Sequence, residues 1–255
     1  MKPYLTRRFI FRRSVFLLTA AVIIFSGCAY FANKPLKTLS YVDSNATSNK
    51  NLFIFLRGLG GSHHSFEEEG LVEATREREI AFDMVAPNAH FVYYFERTLI
   101  ERLRKDVILP AQNKGYENIW LVGFSMGGLG SLLYMHKHPE DITGVCLISP
   151  FLGYDAIIDE INKVGGLRRW VPGEYSPNDD WQRMLWHWIK TTVATENRIP
   201  IYLGFGNSDP YAEAQQLLAT ALPGSHIIRL KGAHDYETFK ALWQNFLDRN
   251  LWGDD

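Results

Sequence analysis

The chain has 255 residues, 46% apolar and 22% charged, a balance that excludes a disordered or low-complexity chain and suits one globular domain with a large core. Its formal net charge is −1 and falls to −6 once the five basic residues of the first 27 positions are set aside, which excludes electrostatic pull toward nucleic acid. Two cysteines, Cys28 and Cys146, exclude a disulfide framework, and no Cys/His spacing fits zinc, so neither metal nor cofactor is expected.

The leader carries Lys2, Arg7, Arg8, Arg12 and Arg13 and no acid. An apolar stretch over residues 15–25 follows, then Ser26 and Gly27, then Cys28. Basic, apolar and small in that order is the pattern of a secretory signal. Phe25-Ser26-Gly27-Cys28 resembles the lipobox of bacterial lipoproteins, with Phe25 where Leu is usual. That resemblance implies residues 1–27 as a signal peptide and Cys28 as the lipidation site. Ala29 rather than Asp follows the cysteine, which implies the periplasmic side of the outer membrane in a Gram-negative cell. The alternative is an uncleaved anchor, because apolar character runs on to Ala32 and approaches the ~20 residues that span a bilayer. Both readings tether the domain to a membrane outside the cytoplasm. Residues 28–50, rich in Asn, Ser, Thr and Lys from Asn33 onward, read as the tether.

Short apolar runs then alternate with helical patterns over residues 51–250. Strands are expected at 52–56, 80–86, 119–123, 145–149, 201–205 and 227–230. Several are nearly continuous in apolar residues, as in strands buried on both faces of a parallel sheet. Helices are expected at 97–112, 129–138, 212–221 and 236–250. The alternation predicts an α/β domain, a mostly parallel sheet with helices on both faces. Cys146, inside an apolar run, reads as a small buried hydrophobe. His63-His64 and His136-Lys137-His138 read as a loop and a helix end rather than metal ligands.

Residues 151–198 are too long a connection for one helix and form an insertion with four of the seven tryptophans. Trp181, Leu185, Trp188 and Ile189 recur at helical spacing. Two readings stay open. The stripe packs the insertion onto the core, or the insertion is a helical cap with an apolar underside over the site.

Gly123-Phe124-Ser125-Met126-Gly127-Gly128 sits between an expected strand and an expected helix. Glycines two before and two after a serine let a sharp turn close without Cβ clashes, and the helix N-terminus offers free N–H groups where an oxyanion could form. A serine hydroxyl needs a base within hydrogen-bond reach, and that base needs an orienting carboxylate. Asp209 follows the strand at 201–205, and His234 follows the strand at 227–230. In a parallel sheet the strand C-termini share one edge, so Ser125, Asp209 and His234 are expected to converge there. Asp235 and Asp155 are rival acids. Asp235 is disfavoured because consecutive side chains point apart. His226 starts a strand, away from that edge, and reads as structural.

In the order Ser125, Asp209, His234, each after a strand, residues 51–250 resemble the α/β-hydrolase family. The resemblance implies Ser125 as nucleophile, His234 as general base and Asp209 as its orienting acid. Arg57-Gly58-Leu59-Gly60-Gly61 resembles the family's Gly-rich oxyanion loop and implies the amides of Leu59 and Met126 as the oxyanion hole, with Arg57 where many members have His. The activity implied is that of a serine hydrolase acting on a carboxylic ester or related acyl bond of a small-molecule or lipid substrate. An acyltransferase on the same triad and a non-catalytic binding lipoprotein are the alternatives.

Overall fold

A computed structural model describes residues 34–42, 49–195 and 198–252. The leader and Cys28 lie outside the described residues, and among those residues no helix is long and apolar enough to cross a membrane. Seven strands form one sheet: β1 (Thr38–Tyr41), β2 (Asn51–Leu56), β3 (Asp83–Pro87), β4 (Asn118–Phe124), β5 (Gly144–Ile148), β6 (Ile201–Gly206) and β7 (Ile227–Leu230). The spatial order is β1-β3-β2-β4-β5-β6-β7. All neighbours run parallel except β1, which pairs antiparallel with β3.

The α/β architecture is the expected one. Within the expected tether of residues 28–50, β1 corrects that reading at Thr38–Tyr41. Thr38 and Ser40 face out while Leu39 and Tyr41 face in, a period of two that is short and polar enough to pass for linker. Pairing opposite Pro87 to Met84 makes it a strand. The third strand starts at Asp83 rather than residue 80, because pairing with β2 begins at Leu52 opposite Asp83.

Among the described residues, ten α-helices flank the sheet: α1 (Ser65–Glu68), α2 (Leu71–Arg76), α3 (Phe91–Phe95), α4 (Leu99–Leu103), α5 (Leu109–Asn113), α6 (Met126–Lys137), α7 (Asp155–Lys163), α8 (Trp181–Trp188), α9 (Ala212–Ala219) and α10 (Tyr236–Asp248). Wider turns over Arg104–Ile108 join α4 to α5. Pro110 explains them: its ring excludes an ordinary turn against the carbonyl four residues back, and one wide turn makes the room.

Alternation along the strands builds two cores. Leu52, Ile54 and Leu56 face the layer that holds α3 to α9. Phe53 and Phe55 face the layer of α1, α2 and α10, where Trp243 meets both rings edge-on. Cys146 is buried in that second core as a free thiol, as expected.

The insertion packs onto the first core. Ile157, Ile161, Trp170, Leu185, Trp186, Ile189 and Val193 are buried in one cluster with sheet residues. Trp186, which the helical stripe left out, is fully enclosed, and its Nε1–H donates to the Leu152 carbonyl at 3.0 Å. Trp181 and Trp188 are only half-buried. A fork closes the outside: Arg183 donates to both Glu160 oxygens at 2.6 and 2.7 Å. The Arg183 hydrogen bonds hold the Glu160 carboxyl down, from 4.5 to about 2. A depressed folded-state pKa adds stability above the unfolded value that is lost as pH falls through the folded one. We therefore expect the protection of α7 and α8 amides against hydrogen exchange, relative to the intrinsic rate at each pH, to fall between pH 4.5 and about 2 in the wild type. Glu160→Gln should remove that dependence, and an unchanged pH profile in the variant would count against the fork as its source.

Candidate active site

Ser125 sits between β4 and α6 with φ 52° and ψ −116°. A positive φ is strained for a residue with a Cβ and persists only where the surroundings over-determine it. Three backbone bonds do so. The Ser125 N–H donates to the Ile148 carbonyl at 3.0 Å, and its own carbonyl accepts from Gly128 and Phe151, each at 2.9 Å. Gly123 and Gly127 are required by close approach. A Cβ on Gly123 would lie 2.5 Å from the Gly127 carbonyl oxygen, and one on Gly127 would run into the Leu56 carbonyl. The turn thus projects the Ser125 hydroxyl past the C-terminal edge of the sheet.

His234 and Asp209 reach that edge from the loops after β7 and β6. Ser125 Oγ lies 2.9 Å from His234 Nε2, and His234 Nδ1 lies 2.8 Å from Asp209 Oδ2. The three residues expected to converge are brought together. Tyr211 and Phe239 meet the His234 ring edge-on, with centroids at 5.1 Å each, and hold its plane. Asp209 is 5% exposed. Burial by itself pushes its carboxyl up, but the His234 hydrogen bond and the Tyr211 amide at 2.8 Å outweigh that and hold it below the usual carboxylate range.

The rivals have other work. Asp235 caps α10 by accepting from the Thr238 amide at 2.8 Å. Asp155 opens α7 and lines, with Asp209, Tyr211 and Glu213, a cleft of about 440 Å³ beside the triad. His226 faces the Ile201 carbonyl at 3.1 Å, at the opposite end of β6. His138 follows α6, where His138, Glu140 and Asp141 bring ligand-type atoms within 4.8 Å of one another. Arg104 and Tyr134 already occupy Asp141, at 2.8 and 2.7 Å, so that group is a charge-paired anchor.

Met126 begins α6, so its amide is among those the helix leaves free beside Ser125. Across from it runs the loop after β2. Gly58 packs so closely that a Cβ there would lie 3.1 Å from the Ser125 Cβ. Leu59 is 59% exposed at the mouth. Arg57 folds back under this loop: Nε donates to the Gly58 carbonyl at 3.1 Å, Nη2 to the Leu59 carbonyl at 2.8 Å, and Nη1 to Asn88 Oδ1 at 3.1 Å. Asn88 and Tyr211 escaped the sequence reading because neither stands in a motif.

Several solved structures share the fold. Est1E from Butyrivibrio proteoclasticus is 18% identical, with a TM-score of 0.57 over 84% of this chain and 92% of that one. The fluorophosphonate-binding serine hydrolase F of Staphylococcus aureus is 14% identical, with 0.55 over 85% and 98%. A monoacylglycerol lipase of Paleococcus ferrophilus is 19% identical, with 0.51 over 84% and 98%. No curated protein sequence matches the chain. The family model for the alpha/beta hydrolase fold matches residues 51–179, just over half of the chain. On that match and on the mostly parallel sheet with its serine turn, the chain belongs to the α/β-hydrolase fold family.

Proposed function

We propose that the protein is a serine hydrolase that cleaves a carboxylic ester or related acyl bond through an acyl-enzyme on Ser125. The observation that carries this reading is the unbroken run from the Ser125 hydroxyl to His234 to the buried Asp209, at 2.9 and 2.8 Å, with Ser125 in a strained backbone conformation. His234 takes the Ser125 proton as the hydroxyl attacks the acyl carbon, and Asp209 orients the imidazole and offsets its charge. The amides of Leu59 and Met126 receive the oxyanion. Collapse expels the alcohol, which takes the proton from His234, and leaves an acyl-enzyme. His234 then activates water to release it. An alcohol or amine entering in place of water would make the same site an acyltransferase.

The leader order and Cys28 support a lipoprotein-type tether on the periplasmic side of the outer membrane. The exposed Leu59 and the half-buried Phe151, packed between Trp181 and Tyr211, support an apolar acyl group.

A fluorophosphonate probe, the reagent that names the Staphylococcus aureus neighbour, tests the nucleophile whatever the natural substrate. The full chain in detergent should label, and Ser125→Ala should not. Folded wild-type protein that stays unlabelled would sink the hydrolase reading in favour of a binding lipoprotein.

A further inference from the structure

We propose that Arg57 is a positioning residue for the oxyanion site: it sets the Gly58–Leu59 peptide and places a buried positive charge behind it. The proposal rests on the reading of Ser125 as nucleophile.

Register makes Arg57 a neighbour of the reacting serine. Strand β2 pairs with β4 up to Leu56 opposite Gly123, so two residues further on Gly58 abuts Ser125. The Arg57 side chain then turns back on its own loop. Its Nε–H donates to the Gly58 carbonyl. In a trans peptide the carbonyl and the following N–H point in opposite directions. The N–H paired with that carbonyl belongs to Leu59, so it is aimed away from the guanidinium. A charged donor on the carbonyl also polarises the peptide and makes its N–H a stronger donor. The bond to the Leu59 carbonyl holds the next peptide unit as well. Asn88, whose own amide donates to the Lys37 carbonyl at 2.7 Å, anchors the guanidinium from the loop after β3. Three donors with three fixed acceptors over-determine the loop.

The charge is the second observation. Arg57 is 9% exposed, and among the described residues no carboxylate pairs with it. The Tyr94 hydroxyl is buried with no hydrogen-bond partner among the described residues, and it senses the Arg57 charge. Burial first and the Arg57 charge second push the His90 pKa below its ordinary value. A guanidinium cannot shed its proton, and a buried charge without a partner is costly. The resting protein therefore holds an uncompensated positive charge beside the place where the tetrahedral oxyanion forms. An attraction realised only in the transition state raises kcat rather than tightening substrate binding. Removing it leaves the Gly58 and Leu59 carbonyls and Asn88 Oδ1 without that donor, so stability falls for either role, and the split between kcat and KM is what separates Arg57 from a structural arginine.

The test uses the full chain with Arg57→Met and Arg57→Lys. The readouts are kcat and KM on p-nitrophenyl butyrate, the rate of fluorophosphonate labelling, and the melting temperature. Arg57→Met should lower kcat and the labelling rate about 10–100-fold with KM within about twofold, the melting temperature confirming that the variant is folded at the assay temperature. Arg57→Lys, which keeps the charge but not the fork, should regain part of the loss. Unchanged kcat in the Met variant, or a rise in KM alone, overturns the proposal. Should the Met variant not fold, the Lys variant decides: a fall in kcat at constant KM supports the proposal and wild-type kcat overturns it. A wild-type chain that neither labels nor turns over ester removes the hydrolase reading first, and this proposal with it.

Discussion

If the proposed hydrolase reading holds, replacing His234 by alanine should lower kcat for ester hydrolysis by about 10⁴–10⁶-fold, and adding Ser125→Ala to it should cost almost nothing more. The reason is that in the proposed mechanism the two groups perform one act. Ser125 Oγ, 2.9 Å from His234 Nε2, attacks only as its proton leaves, and without the imidazole the proton has nowhere to go. At about 1.4 kcal/mol per tenfold, the loss is roughly 6–8 kcal/mol of transition-state stabilisation. Asp209→Asn should cost about 10⁴-fold, since the imidazole survives but loses the carboxylate that orients it at 2.8 Å. Steady-state rates on p-nitrophenyl butyrate for the two single variants and the double variant measure this directly. Independent, multiplying losses would show that His234 and Ser125 do not act together. Melting temperatures guard against a folding artefact.

Gly127→Ala should destabilise the protein by about 3 kcal/mol or more, and Gly127→Val should leave little folded chain. A methyl at Gly127 meets the Leu56 carbonyl and lies 2.8 Å from the Arg57 carbonyl oxygen. Both belong to the chain at the end of a central strand, so neither can rotate aside. Relief requires α6 to lift from β2, which carries the Met126 amide away from Ser125. Gly60→Ala is the control: it lies one residue past Leu59, and a Cβ there has nothing within 4 Å. It should change stability by less than about 0.5 kcal/mol. Urea unfolding of the three variants beside wild type gives the comparison. A Gly127→Ala variant as stable as Gly60→Ala would show that the helix and strand have slack at this contact.

The stripe of Trp181, Leu185, Trp188 and Ile189 packs the insertion onto the first core, Leu185 and Ile189 fully buried and the two tryptophans partly so, but it leaves out part of the buried face. Spacing marked those four as one face, yet the deepest tryptophan of α8 is Trp186. The helix is rolled so that Trp186 can donate to Leu152 and Trp181 can meet Phe151, and no count along the chain contains that rotation. Strand β1 makes the same point. Four residues with two half-apolar positions carry too little signal alone, and their identity came from the open edge of β3.

Sequence alone determined the α/β class, the turn at Ser125, and the positions of Asp209 and His234 after their strands. These are local properties: apolar runs set strands, glycines permit tight turns, and chain order sets which loop follows which strand. Tertiary structure alone decided that a serine and a histidine 109 positions apart meet at 2.9 Å, that Arg57 turns back under its own loop, and that Asp235 caps a helix. A hydrogen bond needs its partners placed to a few tenths of an ångström. Only the register of the sheet and the packing of both cores, which sum many weak contacts from distant parts of the chain, place side chains that closely.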